Sequence, residues 1–399
     1  MWSMIIFFGV MITIWAAAHI YVARSITIGL SDRVRRIAYG VFAGHFVLGP
    51  VAMVIRRVPV AELLFTIWSW AAYLGMGAFT FLFVLVVLKD LGGLGFRGVE
   101  RLVGEDGEIL DPERRRFMTV GLNLGVLSAS GVATKWGFYQ ARRLPDVVEV
   151  TVPFKNLPAE LEGFRIVQLS DIHVGPTIRR PTLERIVERV NELDADLVAV
   201  TGDLIDGFVD QLWDDVQPLF ELQSRHGTYY CTGNHEYYWD GPGWCDALRQ
   251  EGVKVLNNEH HLVDHDGGRL LMAGCTDYKA GDYVKEHASS PKKALEGAPA
   301  HDVSVLLAHQ PPSIHEAAEA GFGLQLSGHT HGGQFWPWIY VVGHVHPFAT
   351  GLNRQDNTWV YVSRGTGYWG PPMRIGAPSE ITLVTLVNGD EDDADKRRV

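Results

Sequence analysis

Cysteine is scarce in this 399-residue chain: Cys231, Cys245 and Cys275, with no CxxC pair. Three widely spaced thiols exclude a disulfide framework and leave room for one bridge at most; packed or free thiols are the expected state. Basic residues are scarce in one part only. Residues 1–145 carry fifteen Lys and Arg against nine Asp and Glu, while the rest of the chain carries twenty against thirty-seven. An acidic C-terminal part excludes a nonspecific nucleic-acid binder, which needs a basic footprint. It leaves a small phosphorylated substrate open, because bound metal ions reverse the field locally.

Formal charge is missing from four long stretches before residue 140: Trp2–Val22, Ile37–Ile55 with Pro50 inside it, Leu63–Leu88, and Phe117–Thr134. The last is rich in Gly, Ser and Ala and is the least apolar, so a surface helix or linker is the alternative there. A bilayer crossing needs about 20 apolar residues. The expectation is a transmembrane region of about four helices over residues 1–145. A cleaved signal peptide does not account for several such stretches, the first of which lacks a basic start. His19 and His45 fall inside them and are expected to pack rather than to react.

Loop charge sets the expected orientation. The loop 23–36 holds Arg24, Arg33, Arg35 and Arg36, and the loop 89–116 holds Lys89, Arg97, Arg101, Arg114, Arg115 and Arg116. The opposite side has Arg56, Arg57, Arg142 and Arg143, with Lys135 ambiguous. The excess puts the two richer loops in the cytoplasm and, with four crossings, the C-terminal part outside it. Arg114-Arg115-Arg116-Phe117-Met118 also resembles a twin-arginine export signal. Read as an ordinary positive-inside cluster, it leads to the same side.

From Val147 the pattern changes to short β-branched runs alternating with amphipathic segments. Strands are expected at Arg165–Ser170, Asp196–Thr201, Thr228–Thr232, Arg269–Ala273, Val303–Ala308, Gly323–Leu326, Tyr340–His344, Thr358–Val362 and Ile381–Val387. Helices are expected at Thr182–Leu193, Gln211–Gln223, Trp244–Gln250 and Pro312–Ala320. This is an α/β alternation followed by a β-rich end, taken as one domain over 146–388. The charge-dense tail 389–399 is expected to be disordered.

Five polar motifs directly follow five of these strands: Asp171-Ile172-His173, Gly202-Asp203-Leu204-Ile205-Asp206, Gly233-Asn234-His235-Glu236, His309, and Gly328-His329-Thr330-His331. In open α/β sheets ligands gather at the carboxyl ends of strands, and five converging turns suit a polynuclear metal site. Asp, Asn and His offer oxygen and nitrogen donors suited to Mn, Fe or Zn, and no thiolate is among them. The i, i+2 pairs Asp171/His173 and His329/His331 can each face one side.

These motifs resemble the calcineurin-like metallophosphoesterase family over about residues 160–390, with the patterns DxH, GDxxD, GNHE, a lone His and GHTH. The resemblance implies a two-layer β-sandwich flanked by helices with a dinuclear centre between the sheet ends. By position it implies that Asp171, His173 and His331 hold one divalent ion, that Asn234, His309 and His329 hold the other, and that Asp203 bridges them. His235 matches the catalytic histidine. Two metal ions clamp an in-line displacement and acidify a water, Asn234 ligates without adding negative charge, and His235 can serve as general acid to an alkoxide. Asp206 and Glu236 are candidate outer partners.

Within the family the likeness is to bacterial membrane-associated or exported phosphodiesterases, through Gly328–Gln334 and Trp369–Gly376, followed by Pro378–Ile381. One departure bears on substrate. Family members that act on phosphoproteins carry an Arg soon after GDxxD to clamp a phosphomonoester, whereas here Asp206 is followed by Gly207, Phe208 and Val209. A phosphodiester in a lipid or envelope metabolite is therefore expected, with the membrane as partner. The alternatives are a nucleotide or nucleotide-sugar-lipid phosphodiesterase or pyrophosphatase, similar in chemistry to the UDP-diacylglucosamine hydrolases, and a membrane sensor with a silent metal domain. Arg364 and Arg374 are candidate phosphate contacts. Trp336, Trp338, Tyr368 and Trp369 are candidates for an apolar pocket or a lipid contact. His260, His261, His265, His344 and His346 are expected to be structural, with His344 and His346 to be checked near the site.

Overall fold

The computed structural model describes residues 2–55, 62–103 and 111–390. Arg56, Arg57 and all but the first two residues of the expected disordered tail lie outside them. Two compact units emerge, Met1–Tyr139 with Gly370–Met373, and Gln140–Trp369 with Arg374–Val399.

The first unit is helical: α1 Trp2–Ile26, α2 Asp32–Ile55, α3 Glu62–Val103 and α4 Pro112–Arg142. Helix α4 starts on Pro at its first turn, where a missing N–H costs nothing, beside Asp111, whose carboxylate accepts from Glu113 N. Among the described residues three helical segments are long and apolar enough to cross a membrane: Phe8–Ile26, Glu62–Gly95 and Pro112–Arg142. The fourth stretch, Phe117–Thr134, is thus among them, carried by its own apolar residues within α4. The second is not among them; the last residues of α2 adjoin the segment that lies outside the described residues.

Val22, Ile26, Phe79, Val86 and Val126 form the apolar centre of this unit. Its buried polar groups are satisfied internally. Lys89 Nζ donates to Ser25 Oγ and Asn123 Oδ1 and pairs with Asp90, which also accepts from Tyr21 and Ser25. His19 and His45 meet ring nitrogen to ring nitrogen at 2.8 Å, and His19 stacks on Phe79. An apolar surrounding tolerates such groups only when they are paired.

The second unit has two six-stranded mixed sheets. The first runs β1 (Asp146–Phe154), β12 (Glu380–Asn388), β2 (Arg165–Leu169), β3 (Leu197–Thr201), β4 (Thr228–Cys231), β5 (Lys254–Val255); the second runs β10 (Gly351–Gln355), β11 (Thr358–Val362), β9 (Leu324–Ser327), β8 (Val303–Leu307), β7 (Gly268–Gly274), β6 (Glu259–His265). Strands β2 to β5 are parallel to one another, as are β7, β8, β9 and β11. Strand β3 explains the layering. Leu197 and Ala199 join a core with Leu270, Met272, Val305, Leu324 and Tyr361 of the second sheet. Val198 and Val200, pointing the other way, join Leu183, Ile186 and Val190 of α5 (Arg180–Asn191), Leu212 of α6 (Val209–Val216) and Trp244 of α8 (Gly241–Gln250). A third core packs α9 (Pro291–Leu295) and α10 (Ile314–Ala320) on the far face of the second sheet. Each fully buried Leu or Val contributes about 1.5–3 kcal/mol. The result is a two-layer sandwich with helices outside both sheets. All three cysteines are free and buried, with no bridge among them.

Two differences from the sequence expectation stand out. The segment Tyr340–His344 is not a strand: residues Trp338–Tyr340 form a 3-10 turn and Val342–Val345 the short helix α11. Its β-branched residues have no ladder partner, and local bonds such as Val341 N to Trp338 O take over, since β propensity needs a sheet to act on. The four strands absent from the sequence reading, β1, β5, β6 and β10, are the four sheet edges. Edges carry charge and half-exposed residues, so they lack the apolar run that marks the inner strands.

Candidate metal centre

The carboxyl ends of β2, β3 and β4 in one sheet and of β8 and β9 in the other supply the polar motifs: Asp171 and His173, Asp203 and Asp206, Asn234 and His235, His309, then His329 and His331. All of these side chains are buried except that of His329, which is partly exposed. Pairing continues past the strand ends, with Asp171 N donating to Gly202 O and His173 N to Asp203 O. Asp171, His173, Asp203, His329 and His331 all adopt positive φ, from 50° to 71°. For a residue with a Cβ this costs roughly 1–3 kcal/mol, and it clusters where surrounding contacts over-determine a side chain's aim. Gly328 shows how tight the turns are. A Cβ there would lie 2.0 Å from Ser170 Oγ and 2.1 Å from Asp171 Oδ2.

Three clusters of ligand-type atoms result, each with all atoms within 4.8 Å: Asp171/His173/His331, Asp203/His309/His329, and His173/Asp203/His235. Asp203 links them. Its Oδ2 lies 3.2 Å from His309 Nε2, 3.9 Å from His173 Nε2 and 4.0 Å from His235 Nε2. Its Oδ1 accepts from His235 N at 2.8 Å, which holds the Asn234-His235 turn against it. Asn234 opens α7 (Asn234–Trp239), and its Nδ2 donates to Tyr238 OH one turn on.

Asn234 Oδ1 and His309 Nε2 are both buried without a hydrogen-bond partner. His309 Nδ1 donates to Thr201 O at 2.8 Å, so Nε2 is the acceptor nitrogen in the neutral ring. A lone pair and a carboxylate oxygen facing each other in a buried site need positive charge between them. His173 Nε2 and His331 Nε2, 3.1 Å apart, present the same demand in the other cluster. Orphaned oxygen and nitrogen donors of this kind fit divalent cations.

The family model for calcineurin-like phosphoesterases matches residues 164–333. A transmembrane protein with metallophosphoesterase domain from Danio rerio is 41% identical over 65% of this chain, which spans 61% of that protein. The Bos taurus protein of the same description is 36% identical over 80% of this chain and 74% of its own length. An uncharacterized metallophosphoesterase from Helicobacter pylori strain J99 is 33% identical over 88% of this chain and 91% of its own. The chain belongs to the calcineurin-like phosphoesterase family. Its second unit therefore has the family's fold, and membership supports a metal-dependent phosphoric ester hydrolase.

In this phosphoesterase His235 Nδ1 lies 2.5 Å from Asp206 Oδ1. Burial pulls the His235 pKa down, but the Asp206 and Asp203 carboxylates outweigh it and push it up to about 9. Burial disfavours the Asp206 carboxylate, yet His235 and His173 hold it far below the usual range. Burial lowers His329 to about 3, which keeps its ring neutral and able to ligate. Burial likewise opposes charge on His309, but Asp203 and Asp171 draw it toward protonation, the same demand for a cation in another form. Glu236, fully buried, accepts from Asp203 N, Leu204 N and Gly233 N, and so ties two site turns together.

Arg374 is no phosphate contact. It is buried, with Nη1 donating to His331 O and Ala377 O and Nη2 to Gly367 O, so it braces the turn that carries His331. Arg364 is tied through Nε to the buried Glu380 carboxylate at 2.6 Å. Tyr368 is buried with its hydroxyl on Thr177 O, whereas Trp369 is exposed with its ring 5.7 Å from His235. His260 bonds Ala294 O and His265 meets His226, both away from the motifs. His346 does approach the site, its ring 5.3 Å from His329 and its Nδ1 buried without a partner. Tyr238, 4.9 Å from the His235 ring, is absent from the sequence reading. The available signal was helical spacing from Asn234, four residues earlier.

Proposed function

We propose that the domain hydrolyses a phosphodiester of a lipid or envelope metabolite. The observation that carries this reading is the sequence after GDxxD, where Gly207 and Phe208 follow Asp206 in place of a clamping Arg; of the two candidate arginines, Arg374 is engaged by backbone carbonyls and Arg364 is held through Nε by Glu380. A monoanionic diester needs less positive charge. Asp171, His173 and His331 would hold one divalent ion (Mn, Fe or Zn), Asn234, His309 and His329 the other, with Asp203 shared. When bound, the ions would polarise the phosphoryl group and lower the pKa of a water. His235 keeps its Nδ1–H on Asp206, which orients Nε2 toward the cluster and favours a proton there. That proton goes to the departing oxygen, so that the group leaves as a neutral alcohol rather than as an alkoxide, a poor leaving group.

The catalytic domain would lie outside the cytoplasm. Helix α2, with 24 residues, is about 36 Å long at 1.5 Å per residue. If it makes a fourth crossing, both arginine-rich loops fall on one side. Alkaline phosphatase fused after Val399 should be active; a fusion active only as a cytoplasmic reporter would overturn this orientation.

The substrate reading is tested with full-length protein in detergent and a metal panel. Bis(p-nitrophenyl) phosphate should exceed p-nitrophenyl phosphate in kcat/KM by about tenfold or more, the scale of losing one charged contact. The reverse order would refute a diesterase. Preference for a nucleotide diester would select the nucleotide alternative.

A further inference from the structure

Exposed apolar surface in the second unit is not scattered. Among the described residues from Gln140 onward, the large hydrophobic side chains left exposed fall on four short segments: Tyr238 in α7, Tyr278 and Tyr283 after β7, Trp338–Val345, and Trp369. These segments border the metal cluster. Tyr238 and Trp369 flank His235, and Tyr283 lies 6.0 Å from Tyr238. The segment Trp338–Val345 joins Gln334, just after His331, to His346 beside His329. On it Tyr340 is 67% and Val345 70% exposed. Single exposed hydrophobics are ordinary, but a set confined to one rim marks a contact surface.

The composition of the segment Trp338–Val345 selects its occupant. From Ala320 to Asn353 the chain has no Lys, Arg, Asp or Glu. A surface evolved for a protein partner normally has a polar, solvent-accessible rim, whereas an uncharged Trp, Tyr and Val face is what the headgroup boundary of a bilayer accepts. The segment is also fixed rather than loose. Phe335 is buried and bridges to Ile375 and Gly376, and Trp336 N donates to Ile375 O at 3.0 Å. A bilayer is within reach, because only Arg143, Leu144 and Pro145 separate α4 from β1, about 10 Å at full extension.

We infer that Trp338, Tyr340, Val341, Val345 and Trp369 form an interfacial surface that seats the mouth of the metal site on the membrane. This deepens the reading of a lipid diester and rests on it in one respect: a substrate held in the bilayer would reach the site without leaving the lipid phase.

Full-length protein in nanodiscs of phosphatidylcholine and phosphatidylglycerol tests this. The native cysteines are buried, so a fluorophore can be placed at Tyr340→Cys, at Val345→Cys, and at Glu188→Cys on α5 as a solvent-exposed control. Doxyl-labelled lipids should quench the first two and leave the third bright. Labels at 340 and 345 as water-accessible as that at 188 would overturn the inference, as would labels shielded from water but not quenched, which indicates a protein on this face. The triple variant Trp338→Ser/Tyr340→Ser/Val345→Ser should hydrolyse soluble bis(p-nitrophenyl) phosphate at the wild-type rate. On a diester embedded in vesicles it should lose about tenfold, since the mouth of the site is no longer held at the lipid surface. Equal loss on both substrates would also overturn the inference. Wild-type inactivity on every diester would refute the proposed function alone, because the quenching result stands apart from catalysis.

Discussion

Asp206 Oδ1 and His235 Nδ1 stand 2.5 Å apart, and the other oxygen of Asp206 lies 3.4 Å from His173 Nδ1. One carboxylate thus orients the proposed acid and lies beside a proposed metal ligand. Asp206→Asn should lower kcat by about ten- to a hundredfold and His235→Ala by about a hundred- to ten-thousandfold, the range for general acid–base groups. Metal content should be retained in His235→Ala. The protonated ring is the active form, so activity falls as pH rises through its pKa. Asp206 raises that pKa, so the basic limb of the kcat profile should move to lower pH in Asp206→Asn. Bound cations would lower the limb in both proteins without changing the sign of the difference. An unmoved limb would separate His235 from the acid role.

Asn234→Ala and His309→Ala should each remove one bound ion per chain and leave the other, as read by mass spectrometry of the protein's metal content. Asp203→Asn should weaken both. Loss of both ions from Asn234→Ala would show that the two clusters are not separate sites. Chelation should lower Tm, because an ion at a hundred times its Kd stabilises by about 2.7 kcal/mol.

Glu236→Ala strips an acceptor from three buried N–H groups, those of Asp203, Leu204 and Gly233. Each orphaned donor costs about 1–3 kcal/mol, so a loss of about 3 kcal/mol or more is expected. In a domain of this size that corresponds to a fall in Tm of about 6 °C or more. An unchanged Tm would mean that water takes over all three amides.

Burial pushes the Cys245 thiol up to about 11 and the Cys275 thiol up to about 12, with Cys231 raised as well. The thiolate, the reactive form, is then negligible at pH 8. Native protein should bind no thiol reagent on the minute timescale and all three equivalents in denaturant. Rapid labelling of the native state would contradict the packing of these residues.

The inner strands were legible because parallel strands buried on both faces read as continuous apolar runs, as at Leu197–Thr201 and Val303–Leu307. Motif order then pointed to the candidate site, since each polar cluster comes directly after such a run. The four edge strands were not legible. Glu259–His265 is exposed or half-buried except at Val263, and its state depends on β7 alongside it. The same holds in reverse for Tyr340–His344, whose strand-like residues meet no partner.

Residue types and their spacing by themselves determined the inner sheet strands, the apolar N-terminal helices and the set of candidate ligands, because burial and donor chemistry are written locally. Only the tertiary structure decided which groups face one another. It brings Asp203 between His309 and His173, takes Arg374 out of contention by burying it among carbonyls, and gathers the exposed aromatics onto one rim. The widest of those relationships, such as Asp203 with His309, join distant positions through the carboxyl ends of two sheets, and no local pattern encodes a distance across that gap.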